Sequence, residues 1–233
     1  MSPEFTPHLE ILPPAQRRIL PRLQAAALLG FALYGGTAVA LRLGHRTSVD
    51  FDFFSELPLD REAVHAAFGF VAGATVLQDH SHTLTLLVDE GDASAPATDK
   101  VSFFGLIGFG RVGEPAITGE GGLHVASLDD LMATKLKVIL QRAEAKDYRD
   151  ISAMLNAGVD LARGLASARA MFGPSFQPSE SLKALVYFED GDLHTLDRID
   201  KSRLSAAAGA VRDLPVVAIL DQRLTSTTGQ PTL

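Results

Sequence analysis

Two aspartates in an apolar run give this sequence its clearest chemical signal. Asp50 and Asp52 stand at alternate positions of "SVDFDFF", a run that predicts a β-strand. Because a strand has a period of two residues, both carboxylates leave one face, while Phe51 and Phe53 leave the other. Aspartate is uncommon in strands, and two carboxylates on one face suit a hard divalent cation. We therefore predict that Asp50 and Asp52 bind Mg²⁺ or Mn²⁺; the alternative is a strand end with solvated carboxylates.

A Gly-Gly-Thr turn precedes these aspartates. Gly35, Gly36 and Thr37 connect a short apolar strand to a short apolar helix, and thirteen residues separate Gly36 from Asp50. A glycine backbone can approach a phosphate closely, and the N–H groups at the start of the following helix can bind it. Thr37 either offers its hydroxyl to phosphate or caps the helix. A phosphate site beside metal-binding carboxylates is typical of enzymes that transfer phosphoryl or nucleotidyl groups from a nucleotide.

The segment "GGTAVALRLGHRTSVDFDFF" resembles the nucleotidyltransferases of the AbiEii/AbiGii toxin family, within the polymerase-beta-like superfamily of minimal nucleotidyltransferases. The segments "LDDLMATKLKVILQRAEAKDYRDISAML" and "ALVYFEDGD" resemble the same family, so the resemblance covers roughly residues 31–192. It implies that the protein transfers a nucleoside monophosphate from an NTP to a hydroxyl acceptor, such as a tRNA end or another RNA. It also implies a toxin that a separately encoded antitoxin holds in check.

The resemblance further implies a third carboxylate on a neighbouring strand, where it would help to bind the metal and activate the attacking hydroxyl. The corresponding strand is "KVSFF", residues 100–104, and the residue in phase there is Ser102. Asp89 and Asp99 lie nearby in the sequence but not obviously in phase. Three alternatives follow: two aspartates and the nucleotide hold the metal, the third carboxylate comes from elsewhere, or activity is impaired.

A lysine on an apolar helix face is the next candidate. Leu128, Leu131 and Met132 precede Lys135 by seven, four and three residues, and Ile139 follows it by four, which is the spacing of one helix face. The lysine either extends its ammonium to the edge of that face or directs it into a cleft, where it would neutralise a triphosphate. The resemblance implies a lysine in this helix and so favours the catalytic role.

A charged cluster follows in "RAEAKDYRD". The resemblance implies a Lys-Asp-x-x-Asp element at this point, which Lys146, Asp147 and Asp150 match. We predict that Lys146 and Asp150 contact the nucleotide, and that Asp147 supplies the carboxylate that Ser102 does not. The alternative is an ordinary helix start, with acidic residues in its first turn and basic residues facing solvent.

Composition limits the class of protein. Of the 233 residues, 46% are hydrophobic and 21% are charged, as in an ordinary soluble globular protein. No apolar run approaches the ~20 residues of a membrane span, and the N-terminus lacks the pattern of a signal peptide. We therefore expect a cytoplasmic protein that makes no membrane contact. The sequence has no cysteine, which excludes disulfides, cysteine-ligated zinc and a thiol nucleophile.

A formal net charge of −7 argues against non-specific binding of duplex DNA, since such binders usually present a basic surface. It leaves room for a local basic patch that receives a nucleotide or an RNA end. Arg42, His45 and Arg46 border the loop before the Asp-x-Asp strand and either form such a patch or are solvated. The acidic charge also leaves open a transferase acting on a small molecule or a protein hydroxyl. Ser102 leaves open a nucleotide-binding protein with decayed catalysis.

The order of the predicted elements indicates an α/β fold. We expect a minimal nucleotidyltransferase core, a mixed sheet flanked by helices, over residues 1–122, and a helical C-terminal half that closes the cleft over residues 123–233. The predicted strands are 31–34, 49–54, 70–78, 83–89 and 100–107. The predicted helices are 14–30 with a bend at Pro21, 37–43, 58–68, 128–142, 147–157, 161–172, 178–186 and 202–212. A loop is predicted at 89–99 and a frayed or disordered end at 225–233.

Overall fold

The computed structural model describes residues 3–89, 98–119 and 122–226. These residues form two compact units. One contains the described residues up to 110, together with 114–126 and those from 221 onward; the other contains 111–113 and 127–220. A boundary after residue 122 would assign the whole C-terminal end to the helical half, whereas residues 221–226 return to the first unit.

The first unit is built on a mixed sheet with seven strands among its described residues. The strands are β1 (Ala32–Tyr34), β2 (Asp50–Phe54), β3 (Thr75–His80), β4 (Thr83–Asp89), β5 (Thr98–Phe104), β6 (Ala116–Ile117) and β7 (His124–Val125). Their order in the sheet is β3-β4-β5-β2-β1-β7-β6. The pairs β2–β5 and β1–β7 are parallel and the others are antiparallel. The α-helices of this unit are α1 (Pro14–Ile19), α2 (Gly35–Leu43) and α3 (Arg61–Ala67), and this architecture confirms the predicted α/β class.

The connection β1–α2–β2 positions the predicted chemistry. β1 and β2 are antiparallel neighbours, and Tyr34 at the end of β1 lies opposite Asp52. The glycine turn follows Tyr34 directly, so it begins beside that aspartate. Phe51 and Phe53 are fully buried, while the two aspartates of β2 are partly exposed, which confirms the predicted division of the strand into two faces. α2 ends at Gly44, whose φ of +64° is the left-handed conformation typical of a helix end.

Several elements of the first unit differ from their predictions. The helix predicted over 14–30 is α1 followed by a 3₁₀ helix at Leu20–Ala26, because Pro21 cannot donate a backbone hydrogen bond. The strand predicted over 70–78 begins only at Thr75, after a 3₁₀ turn at Val71–Gly73. The strands β6 and β7 have two residues each, too few to show a periodicity.

The second unit is helical, as predicted. Its α-helices are α4 (Leu128–Val138), α5 (Ala145–Asn156), α6 (Leu161–Phe172), α7 (Pro178–Ala184) and α8 (Arg198–Ala210). All five predicted helices are present, with ends that differ by up to four residues. Gly164 allows α6 to pack closely on α4, since a side chain at this position would clash with Met132.

Two predictions fall partly outside the described residues. Of the loop predicted at 89–99, residues 90–97 lie outside, while Thr98 and Asp99 belong to β5. Of the end predicted to be disordered, residues 227–233 lie outside. Within the ranges that the structure describes, no helix combines the length and apolar character that a membrane crossing needs.

A buried carboxylate fixes the start of α4. The hydroxyl of Ser127 accepts from the backbone N–H of Asp130 at 3.1 Å and donates to its Oδ2 at 2.5 Å. Oδ1 of Asp130 accepts from the backbone N–H of Val112 at 2.7 Å. Asp130 is only 1% exposed. This burial raises the pKa of its carboxyl to about 6, although the hydrogen bonds from Ser127 and Val112 act in the opposite direction.

Asp130 should make stability depend on pH. Because its pKa is raised from 3.8 to about 6, the folded protein binds the proton more tightly than the unfolded chain between these values. Its contribution to the free energy of unfolding therefore falls as pH rises through this window. Asp130→Asn keeps an acceptor for Val112 but does not ionise. We therefore expect the free energy of unfolding of this variant, relative to that of the native protein, to be about 1–3 kcal/mol higher at about pH 7.5 than at about pH 4.5. Urea unfolding at both pH values measures the gain, and a constant difference would contradict it.

Candidate functional site

The glycine turn lies directly against the Asp52 carboxylate. Gly35 has a φ of +72°, a left-handed conformation that residues with a side chain rarely adopt. A Cβ at this position would lie 2.7 Å from Oδ2 of Asp52. The backbone of the turn and the carboxylate therefore border the same small volume. A phosphate on the turn would share that volume with a cation on Asp52.

Arg46 brings positive charge to the first turn of α2. A Cβ on Gly36 would lie 2.5 Å from Nη2 of Arg46 and 3.1 Å from Oγ of Ser48, so the guanidinium lies against the glycine backbone. Nη1 of Arg46 donates to the backbone oxygen of Thr47 at 2.9 Å, which helps to orient it. Since a helix N-terminus also favours negative charge, this arrangement suits a phosphate. Contact of Arg46 with a phosphate stays a prediction.

Thr37 and Arg42 hold the turn in place. Thr37 is fully buried, and its hydroxyl donates to the backbone oxygen of Asp50. This contact uses the hydroxyl proton of Thr37, and no side-chain hydrogen bond caps α2. Contact of Thr37 with a nucleotide stays a prediction. Arg42 donates to the backbone oxygens of Val125 at 2.9 Å and Ala126 at 2.8 Å. These contacts tie α2 to β2 and to the end of β7.

The parallel neighbour of β2 brings a serine and a lysine beside the two aspartates. In the register of β2 with β5, Asp50 pairs with Lys100 and Asp52 pairs with Ser102. This confirms Ser102 as the residue in phase. Its hydroxyl lies 3.4 Å from Oγ1 of Thr85. Nζ of Lys100 lies 3.1 Å from Oδ2 of Asp50. Lys100 is not among the predicted site residues, although the strand period places it on the face of Ser102.

The other two candidate carboxylates lie on opposite faces of the sheet. Asp89 pairs with Thr98, the first residue of β5, which places it on the face of Asp50 and Asp52. Asp99 has the opposite phase and is buried. Within the described ranges, no three histidine, aspartate or glutamate side chains are grouped to hold a metal ion.

In the helical unit, three predicted residues form a buried ionic cluster. Nζ of Lys135 lies 2.6 Å from Oδ1 of Asp147 and 2.6 Å from Oδ2 of Asp150. The lysine side chain is 6% exposed and both aspartate side chains are fully buried. Arg142 adds a second cation, with Nε 2.9 Å from Oδ2 of Asp147. The Lys-Asp-x-x-Asp element thus contributes two carboxylates to one cluster.

These contacts give Lys135 and Asp147 a structural role within their own unit. Both oxygens of Asp147 face a cation, and the Lys135 ammonium already contacts two carboxylates. Removing one member of such a buried set leaves an uncompensated charge in a poorly solvated place. Direct contact of either residue with the metal or the nucleotide stays a prediction.

Lys146 lies on the exposed side of α5. Its Nζ lies 2.8 Å from Oε2 of Glu144, and both side chains are nearly half exposed. Ion pairs of this kind are weak, so a phosphate can displace the glutamate. The predicted contact of Lys146 with the nucleotide stays a prediction.

Tyr148 follows Asp147 in the sequence and is no candidate base. Burial, together with the negative charges of Asp190 and Asp147, raises the pKa of its hydroxyl to about 12.

Gly35→Ala should disrupt the site. The new methyl group would meet the Asp52 carboxylate and occupy a left-handed conformation. Gly158→Ala is the matched control, because Gly158 has a φ of +91° and a Cβ there would meet no atom within 4 Å. We expect the control to cost about 1 kcal/mol of unfolding free energy and to bind nucleotide normally. Gly35→Ala should cost more and weaken Mg²⁺–nucleotide binding by about tenfold or more. If calorimetry showed that Gly35→Ala binds the Mg²⁺–nucleotide complex as tightly as the native protein, the turn at Gly35 would not be the nucleotide site.

Lys135→Met should destabilise the helical unit. It leaves two buried carboxylates with one cation fewer, and we expect a loss of about 3–5 kcal/mol of unfolding free energy. Lys146→Met removes an exposed ion pair from the same region and should cost less than about 1 kcal/mol. Denaturant titration measures both. If Lys135 served only to bind phosphate, its loss would lower activity and leave the unfolding free energy unchanged.

Two solved structures share this fold. A crystal structure of a provisionally assigned nucleotidyltransferase from H. pylori has a TM-score of 0.54 and 19% identity, and the match covers 84% of this chain and 90% of that one. The crystal structure of JHP933 from Helicobacter pylori has a TM-score of 0.55 and 19% identity, over 84% and 88% of the two chains. At this level of identity the likeness is one of fold.

Comparisons of sequence identify the family of the chain. An uncharacterized protein of Aquifex aeolicus is 30% identical over 179 residues, which are 75% of this chain and 82% of that protein. The family model for the nucleotidyl transferase AbiEii toxin of type IV toxin–antitoxin systems matches residues 18–207. That range contains the glycine turn, both aspartates of β2, Lys100 and the buried ionic cluster. The chain therefore belongs to the AbiEii family of nucleotidyltransferase toxins.

Proposed function

We propose that this protein transfers a nucleoside monophosphate from an NTP to a hydroxyl of an RNA, such as a tRNA end, in the cytoplasm. The observation that carries the proposal is the close approach of the Gly35 backbone to the Asp52 carboxylate. It brings a backbone turn suited to a phosphate and a carboxylate suited to a cation side by side. Membership of the AbiEii family supports the toxin role, and we infer that a separately encoded antitoxin restrains the activity.

Asp50 and Asp52 would hold Mg²⁺ or Mn²⁺. Hard cations prefer carboxylate oxygens, and both side chains leave the same sheet face in a partly exposed position. When bound, the cation would neutralise phosphate charge and favour displacement at the α-phosphorus. The backbone N–H groups of Gly35 and Gly36 and the guanidinium of Arg46 would bind the triphosphate beside it.

The proposed reaction is a displacement at the α-phosphorus. The acceptor oxygen forms a bond to this phosphorus while the bond to the bridging oxygen of the β-phosphate breaks. Pyrophosphate leaves with the electron pair of the broken bond, and the acceptor hydroxyl gives its proton to solvent water. Arg46 and the positive end of α2 would offset the charge that develops on the leaving pyrophosphate.

Asp52→Asn tests this function, because it removes a metal-ligand charge with little change in volume. We expect the native protein, incubated with Mg²⁺, each α-³²P-labelled NTP and total bacterial RNA, to label RNA. Asp52→Asn should lower the rate at least about 100-fold, since loss of outer-shell partners alone costs about 10–100-fold at metal sites. Asp213→Asn is the matched control, as the same chemical change at an exposed residue, and should leave the rate unchanged.

The same assay separates the alternatives. Label in a protein or a small-molecule acceptor, but never in RNA, would replace the proposed acceptor and keep the transferase. Nucleotide binding without transfer to any acceptor would indicate decayed catalysis, which Ser102 and Lys100 in place of a third carboxylate would then explain. Expression without antitoxin should slow growth, and Asp52→Asn should relieve the defect. A defect that persists in the variant would contradict a toxic transferase.

A further inference from the structure

Lys100 lies two residues before Ser102 on β5, on the same face of the sheet as Asp50 and Asp52. It lies on β5, the parallel neighbour of β2, directly in register with Asp50. Its ammonium is 3.1 Å from Oδ2 of Asp50, so a cation of the protein itself contacts one of the two proposed metal ligands. The next residue on the same face is Ser102, opposite Asp52, which carries no charge. Both positions beside the aspartates thus lack the oxygen charge that a second divalent cation would need.

The exposure of this ion pair makes it exchangeable. The side chains of Lys100 and Asp50 are 39% and 33% exposed. Pairs this accessible to water contribute little to stability, whereas the buried pairs of Lys135 are held in a dry environment. A divalent cation on Asp50 competes with the ammonium for the same carboxylate. Lysine has a flexible four-carbon stem, so the displaced ammonium can turn towards a neighbouring phosphate without a change in the strand.

We propose that Lys100 takes the place of a second metal ion. Before substrate binds, it holds the Asp50 carboxylate. A single divalent cation, arriving with the nucleotide, displaces it from Asp50, and the ammonium then contacts the triphosphate. The inference rests on the proposed function, because it assigns Lys100 to the nucleotide of that reaction. Lys100 would therefore weaken the binding of the metal ion and strengthen the binding of the nucleotide.

Two binding measurements without turnover test this proposal. The first is titration with Mn²⁺ alone, followed by electron paramagnetic resonance. The second is calorimetric titration with the α,β-methylene analogues of the four NTPs at saturating Mg²⁺. Lys100→Met should bind Mn²⁺ about tenfold more tightly, since a competing charge is gone, and the analogue about tenfold more weakly. Lys100→Arg retains the charge and should stay within about threefold of the native protein in both.

Lys183→Met serves as the matched control, because it removes another exposed ion-paired lysine, in α7. It should change neither affinity. A purely structural role for Lys100 would weaken both bindings in Lys100→Met or change neither, and either result overturns the proposal. The native complex with analogue should hold one Mn²⁺ per chain, and two would also overturn it. If no analogue binds and no label is transferred, the proposed function fails, while the titration with Mn²⁺ alone still decides whether Lys100 competes for Asp50.

Discussion

The close approach of the Gly35 backbone to the Asp52 carboxylate constrains the whole first unit. It requires β1 and β2 to be antiparallel neighbours with Tyr34 opposite Asp52, and it requires a left-handed residue immediately after β1. It also requires α2 to begin at once and to end at Gly44, so that the chain returns into β2. The buried Phe51 and Phe53 fix the register, since a slip of one residue would exchange the polar and apolar faces of β2.

Electrostatics in this unit are local. The chain carries a net charge of −7, yet Arg46 lies against the first turn of α2 and Lys100 lies beside Asp50. Because a nucleotide responds to the charges within a few ångströms, the overall acidity does not oppose its binding. Arg46 lies beside the turn to which a phosphate would bind, and Lys100 lies beside a carboxylate to which a metal ion would bind. This distribution agrees with a small, highly charged substrate better than with an extended contact to duplex nucleic acid.

The ionic cluster of the helical unit, unlike the partly exposed charges around Asp50, is buried. Lys135, Asp147 and Asp150 are removed from water, so their mutual attraction is offset by the cost of desolvation. Such a set adds little net stability but is expensive to break. It joins α4 to α5 through the contacts of Lys135. A Lys-Asp-x-x-Asp element can therefore be required for folding as well as for chemistry, and a loss of activity on mutation would not by itself distinguish the two.

The sequence determined the features that depend on neighbouring residues. The period of two in "VDFDFF" placed both aspartates on one face, the glycines marked the turn, and helical periodicity located the five helices of the second unit. It also identified Ser102 as the residue in phase on β5, because strand phase is a local property. Pro21 likewise marked the point at which a helix changes to a 3₁₀ turn.

Contacts between distant segments were decided by the tertiary structure. The pairing of β2 with β5 brought Lys100 beside Asp50, although fifty positions separate them in the sequence. A local sequence pattern does not specify which strand pairs with which. Packing buried the Thr37 hydroxyl against the backbone oxygen of Asp50, a partner that lies thirteen residues away in the sequence. It also enclosed Lys135 between two carboxylates, whereas an apolar helix face by itself leaves open where an ammonium points. Periodicity specifies which face a side chain leaves, but its partner depends on which chain segment folds against that face.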